Sequence, residues 1–166
     1  MISSGFGGAL SSPDGVYIRK MLRNRSVPVD TVLPHIAYPD VAQAIAWLGR
    51  VFGFREHYRY GDPGTPQGAQ IVLHRAVVQL HSVRESRPYI RGMHSLTVFL
   101  EDVETHFERT RTAGAKILEE VHETCYGERQ YAAEDLEGNH WIFSRHATDL
   151  SPADWGATMS SEGVEL

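Results

Sequence analysis

The stretch VFLEDVETHFERTRTAGAKI, residues 98–117, repeats the pattern of an earlier one, AYPDVAQAIAWLGRVFGFRE, residues 37–56. In both, an apolar segment precedes Asp-Val, a helix-like run of similar length follows, and a glycine then stands between apolar residues. Apolar residues recur at helical spacing after Asp40, and more weakly after Asp102. Each Asp is a good N-cap, because its carboxylate can accept from the free N–H groups of the first turn. The glycine after each run is predicted to end the helix.

Short strands are predicted before each helix, at residues 33–37 and 95–100, and further alternating runs follow each helix. The segment DLEG, residues 135–138, is a turn signal between two such runs and predicts a hairpin. Each half therefore reads strand–helix–strand–strand–strand, which makes the chain two copies of a βαβββ module.

The predicted domain organisation has four parts. Residues 1–30 are rich in Gly and Ser at their start and predict a flexible N-terminal arm. The first βαβββ module takes residues 31–88, the second takes 93–148, and 149–166 form a C-terminal tail. We expect an α+β fold in which the tandem modules form a curved mixed sheet with a concave cleft. Such a cleft is a natural place for a small-molecule ligand.

Charge and composition exclude several classes of partner. The formal net charge is −5, and the Lys and Arg residues are spread along the chain, so nucleic acid is not an expected partner. No apolar run approaches membrane-spanning length, so a membrane is not expected either. The lone cysteine, Cys125, cannot form an intrachain disulfide and fits a reducing compartment. We expect a cytoplasmic protein.

The duplicated modules, the Asp-capped helices and the final segment YGERQYAAEDLEGNHWIF, residues 126–143, resemble the vicinal oxygen chelate superfamily. The resemblance is strongest to its glyoxalase/bleomycin-resistance protein/dioxygenase branch and covers about Val32 to His146. It implies the fold but no single reaction, because the superfamily includes isomerases, dioxygenases, thiol transferases and proteins that only bind drugs. Relatives usually pair so that both chains bound each cleft, which implies a homodimer.

The metal enzymes of this superfamily hold their ion through four strand positions that face the cleft. Leu33 and Gln79 occupy the two positions of the first module, and Ser95 and Ile142 occupy those of the second. Leu and Ile cannot ligate a divalent ion, and Ser and Gln are weak neutral ligands beside His and carboxylate. We therefore expect no metal at these positions and no cofactor.

Three histidines lie two residues away from these positions on the predicted strands: His35, His81 and His140. Residues two apart in a strand share a face, so all three are expected in the cleft. They could form a displaced metal site, act as a general base, or simply be polar residues of the wall. The neighbour Trp141 is expected on the opposite face, in the core.

Two classes of function follow from the sequence. One is a metal-free protein that binds a small aromatic or cationic molecule. The other is a lyase, isomerase or dioxygenase of the same superfamily that uses the shifted histidines for metal binding or as general base. The expected ligand-binding residues are Leu33, His35, Gln79, His81, Thr97, His140 and Ile142.

Overall fold

A computed structural model describes residues 32–83, 91–92 and 94–157 of the chain. Every described helix and strand belongs to the unit Leu33–Leu166. The expected N-terminal arm and most of the linker between the modules lie outside the described residues. The strands are β1 (His35–Tyr38), β2 (Arg55–Gly61), β3 (Pro66–Leu73), β4 (Ala76–Ser82), β5 (Ser95–Phe99), β6 (Lys116–Glu123), β7 (Glu128–Glu134) and β8 (His140–His146). The helices are α1 (Val41–Phe52), α2 (Val103–Thr112) and a 3₁₀ turn (Pro152–Trp155).

The expected fold of two tandem βαβββ modules is confirmed. Module 1 comprises β1, α1 and β2–β4, and its sheet has the order β1-β4-β3-β2. Module 2 comprises β5, α2 and β6–β8, with the order β5-β8-β7-β6. In each sheet the first strand runs parallel to the last and the other neighbours are antiparallel, so both sheets are mixed.

Helix α1 begins and ends where the sequence predicts. The Asp40 carboxylate accepts from the Gln43 backbone N–H at 2.9 Å, which satisfies a donor that the first helical turn cannot pair internally. Gly53 follows the helix with φ of 80°, a left-handed conformation that costs glycine little. The buried side of α1 carries Val41, Ala44, Leu48, Val51 and Phe52.

Helix α2 is capped in the same way, because Asp102 accepts from the Thr105 N–H at 2.9 Å. Its buried side includes two polar residues, His106 and Thr110, beside Val103 and Phe107. Buried polar groups need partners, and these two find them in the other module.

The two modules are joined at the C-terminal end of α1, where the last carbonyls lack partners within the helix. The Phe52 carbonyl accepts from His106 Nε2 and from the Arg109 guanidinium, both at 2.9 Å. The Val51 carbonyl accepts from the Thr110 hydroxyl at 3.3 Å. Burial lowers the pKa of His106 to about 4, so this imidazole is neutral, and its Nδ1 lies 2.6 Å from the Tyr131 hydroxyl.

The turn between β7 and β8 makes a second contact between the two modules. Asp135 is 6% exposed, and its Oδ2 accepts from the Tyr38 hydroxyl of module 1 at 2.6 Å and from Trp141 Nε1 at 3.0 Å. Its Oδ1 accepts from the backbone N–H groups of Glu137 and Asn139, at 2.8 and 3.0 Å. The buried carboxylate therefore organises the turn and anchors it to β1.

Strand β8 alternates as its sequence predicts. Trp141 and Phe143 are fully buried and pack against Phe52 of α1, with ring centroids 5.8 and 5.0 Å away. His140 is exposed and Ile142 is half-buried on the opposite side of the sheet. The prediction of Trp141 as a core residue is confirmed.

Candidate functional site

Each sheet has one side covered by its helix and one side that faces away from it, which we call the open face. In module 1 the strand register aligns His35, Gln79, Gln70 and Tyr58 in one row across the four strands. Cross-strand partners point to the same side of a sheet, so this row lies on a single face. The fully buried Ile36 and Leu80 alternate with the row and lie on the helix side, which places the row on the open face.

A chain of neutral hydrogen bonds runs along this row. His57 Nδ1 donates to Gln70 Oε1 at 2.7 Å, and Gln70 Nε2 lies 3.4 Å from the Tyr58 hydroxyl. That hydroxyl in turn donates to Gln79 Oε1 at 3.3 Å. The chain fixes the orientation of both amides, and the Gln79 side chain is thereby held with its oxygen towards Tyr58.

Strand β2 has an irregular register between Glu56 and Tyr58, and this bulge explains how consecutive residues reach the same row. An extra residue in a strand interrupts the alternation of sides, so His57 and Tyr58 both contact Gln70. The sequence gives no turn or glycine signal for this bulge, and sequence reasoning assigned His57 no role.

Two of the predicted histidines are neighbours on the open face of module 1. The rings of His35 and His81 have centroids 6.0 Å apart and planes tilted by 51°. His35 is exposed and His81 is half-buried. Leu33 lies just before β1 and is half-buried. The structure thus places His35 and His81 beside Gln79, as the alternation of the strands implies.

The open face of module 2 carries the remaining predicted residues. Ser95 is paired with His140, and Thr97 with Ile142, across the parallel strands β5 and β8. Ser95, Thr97 and His140 are exposed, and Ile142 is half-buried. The four residues therefore form one group.

Some of the predicted ligand-binding residues line cavities, and these residues belong to two separate cavities. A groove of about 420 Å³ lies between the β1 and β5 strands and is lined by Pro34, His35, Ile36 and residues 94–97. A second cavity of about 530 Å³ lies at the β7–β8 turn and includes His140, Glu134, Glu137 and Arg91. His35 and Thr97 therefore share a cavity, whereas His140 lines a different one.

The donor set on the open faces does not fit the metal of the superfamily's enzymes. Leu33 and Ile142 offer only hydrocarbon, Ser95 offers a hydroxyl, and the Gln79 amide oxygen is already a partner of Tyr58. Within the described ranges, no group of three or more His, Cys, Asp or Glu residues is placed to hold a metal ion. His35, His81 and His140 accordingly form no such group, which counts against a displaced metal site built from them.

No helix in the described part of the chain is long and apolar enough to span a membrane.

Comparisons with known proteins agree with this architecture. TioX from Micromonospora sp. ML1 is 33% identical, superposes with a TM-score of 0.61, and is matched over 98% of its length and 70% of this chain. An uncharacterized protein of Mycobacterium bovis is 26% identical over 140 residues, which are 78% of this chain and 92% of that protein.

TnmS3, an antibiotic binding protein from Streptomyces sp. CB03234, shares the fold, with a TM-score of 0.54 at 18% identity. The match covers 73% of this chain and all of TnmS3. The family model of the Glyoxalase/Bleomycin resistance protein/Dioxygenase superfamily matches residues 29–143. The chain belongs to this superfamily.

Proposed function

We propose that this protein binds a small, partly aromatic molecule on the open faces of its modules, without using the metal site of the superfamily's enzymes. The main observation in support of this proposal is the hydrogen bonding of the Gln79 side chain. A neutral amide stands at a metal-ligand position and is held by Tyr58 in a chain of hydrogen bonds. Such a row can donate to and accept from a neutral ligand, but it supplies no charge for a divalent cation.

The lining of the groove between β1 and β5 suits this role. The apolar residues Pro34 and Leu96 line it together with the polar side chains of His35 and Thr97. Ligand sites are commonly built from apolar walls with a few polar groups that fix orientation. The antibiotic-binding activity named for TnmS3, which has the same fold, points in the same direction.

We further propose that the protein forms a homodimer whose second chain completes the ligand cleft. Strands β2 and β6 lie at the outer edges of the two described sheets, and an unpaired edge strand tends to be covered. Sedimentation equilibrium at micromolar concentration measures the assembly directly, and a monomer throughout this range would contradict the dimer.

A panel of planar aromatic antibiotics tests the binding proposal. Compounds that raise the melting temperature of the protein are to be carried into calorimetric titration. We expect His35→Ala and Gln79→Leu to weaken the binding of such a compound by about tenfold, because each loses an oriented hydrogen bond to the ligand. The control is Glu108→Ala, which removes an exposed carboxylate of helix α2 that pairs with Arg111. Equal affinity in all four proteins would overturn the assignment of the site.

The second candidate is an enzyme in which a histidine acts as general base. The pair of rings formed by His35 and His81, 6.0 Å apart on the open face, favours it, because imidazole is the side chain most often used as a general base. Chemical change of a bound compound, followed by mass spectrometry and lost in His35→Ala, would establish this alternative over simple binding. Recovery of the intact compound from the complex would support binding alone.

A further inference from the structure

Aromatic rings are exposed at one end of the open face of module 2. Phe99, Tyr126 and Trp155 are 54%, 42% and 40% exposed. They form pairs: the Tyr126 ring meets the Trp155 ring edge-on at 6.0 Å, and the Phe99 ring lies 4.9 Å from the His146 ring. Clustered exposed rings of this kind mark interaction sites more often than single ones do.

The two pairs of rings lie on opposite sides of a polar patch of the sheet surface. This patch, which we call the polar floor, is formed by Ser144 and Gln130. The strand register sets Phe99 beside Ser144 and Ser144 beside Gln130. The Tyr126 hydroxyl donates to Gln130 Oε1 at 3.1 Å, which brings the second pair to the far side of the same floor. Two strand spacings separate the β5 and β7 backbones, about 10 Å. The space between the rings is therefore of the size of one small organic group.

A carboxylate lies in this floor. The Glu128 side chain is 16% exposed, and its two oxygens accept from the Ser144 hydroxyl and from His146 Nδ1, both at 2.6 Å. Each carboxylate oxygen can accept more than one hydrogen bond. The carboxylate is thus oriented by the protein and can accept further hydrogen bonds.

The two arginines nearest this carboxylate are directed to the other side of the sheet. Arg129 and Arg145 flank Glu128 and Ser144, and both guanidinium groups contact Glu104 of helix α2 instead. The Lys116 ammonium is paired with Glu134, at 2.6 Å, towards the opposite end of β7. Among the described residues, the strand register places the further titratable groups Glu119, His122 and His140 on this open face.

We propose that this end of the open face, formed by Phe99, Tyr126, Glu128, His146 and Trp155, is a subsite for a substituted ammonium group. A carboxylate supplies the opposite charge, and aromatic rings attract a cation through their electron-rich faces. An anion would be repelled by Glu128, and a purely apolar group would leave the exposed part of that carboxylate without water. The subsite serves the ligand of the proposed function and rests on that function for the identity of the rest of the molecule.

Benzyltrimethylammonium is the probe, and benzyl alcohol at the same ionic strength is its neutral counterpart. Binding is followed by calorimetry. We expect Glu128→Gln to weaken binding of the cation by about tenfold, since a charged partner is lost, and Trp155→Ala to weaken it by about threefold to tenfold. Glu134→Gln is the matched control, since it removes a carboxylate of the same strand and the same face. It should leave the affinity unchanged.

The outcomes for the ammonium probe and for the antibiotics distinguish a failure of this subsite from a failure of the proposed function. If aromatic antibiotics bind at His35 and Gln79 but the ammonium probe binds no better than benzyl alcohol, the subsite is wrong and the proposed function stands. If the probe binds and Glu128→Gln abolishes the preference while no antibiotic binds, the subsite stands and the proposed function is wrong. Should Glu128→Gln fail to fold, Trp155→Ala decides, because this side chain is exposed and outside the core. Unchanged affinity in Trp155→Ala overturns the proposal.

Discussion

Replacing Asp135 by alanine should destabilise the protein more than any other change of a single polar side chain in the β7–β8 turn. The substitution removes the acceptor of three buried side chains, Tyr38, Asn139 and Trp141, together with two backbone N–H groups of the turn. Water cannot reach the three side-chain donors without opening the core between the modules. A buried donor left without a partner costs about 1–3 kcal/mol.

Three orphaned side-chain donors would therefore cost about 3–9 kcal/mol, less what is regained because a carboxylate no longer has to be buried. We expect the free energy of unfolding to fall by about 3–5 kcal/mol, a large share of the 5–15 kcal/mol typical of a domain. Urea unfolding followed by tryptophan fluorescence measures the change. Asp154→Ala is the control, since this Asp caps the exposed 3₁₀ turn and should leave the midpoint unmoved.

A double-mutant cycle with Tyr38→Phe isolates the bond between the modules. Alone, Tyr38→Phe should cost about 1–2 kcal/mol, because it removes one buried hydrogen bond and leaves the ring in place. In the Asp135→Ala background its cost should largely vanish, since the acceptor is already gone. A loss below about 1 kcal/mol in Asp135→Ala, or full additivity of the two changes, would refute the view that this carboxylate holds the modules together.

Three further predictions concern the hydrophobic core, the hydrogen bonds between the modules and the open face of module 1. Trp141→Ala should lower the free energy of unfolding by about 3–5 kcal/mol, whereas His140→Ala should leave it nearly unchanged; the opposite result in urea unfolding would mean that the faces of β8 are inverted. Because burial lowers the pKa of His106 to about 4 from a value near 6.5 in the unfolded chain, its protonation favours unfolding. Its contribution to stability is complete above about pH 6.5 and falls by about 3 kcal/mol as the pH drops to about 4. His106→Gln should flatten this part of the stability profile, and an unchanged slope would contradict the assignment. Gln79→Glu should acquire no stoichiometric zinc, nickel, iron or manganese by elemental analysis of untagged protein, because Leu33 and Ile142 cannot ligate and Ser95 is a weak ligand; stoichiometric metal would show that the donor set is wrong.

The parts of the fold that depend on neighbours along the chain could be predicted from the sequence. Asp40 and Asp102 cap their helices through N–H groups only three residues away, and the alternation that separates His140 from Trp141 needs only the period of a strand. Both signals are local, and both are confirmed. The repeat of the whole pattern then predicts two modules, since each copy leaves one side of a sheet uncovered.

The hydrogen bonds between the two modules could not be predicted in this way. His106 and Thr110 weaken the apolar side of α2 when the helix is considered alone, yet their partners are carbonyls of Phe52 and Val51, more than fifty positions earlier. Helical periodicity carries no information about which distant carbonyls lack partners. The contact of His57 with Gln70 could not be predicted for a related reason, because it depends on a bulge that interrupts the alternation of sides along β2.

The two modules use the same fold for open faces of different chemistry. Module 1 aligns His57, Gln70, Tyr58 and Gln79 in a neutral hydrogen-bonded row, whereas module 2 carries an oriented carboxylate, Glu128, among exposed rings. The contacts that hold the fold together lie on the helix side of the sheets and in the β7–β8 turn, so the open faces can differ without cost to the core. A ligand that meets both faces would need a neutral planar part for one module and a cationic part for the other. Such a molecule would be bound in one orientation only, because reversing it would set its ammonium group against neutral amides and leave Glu128 without its partner.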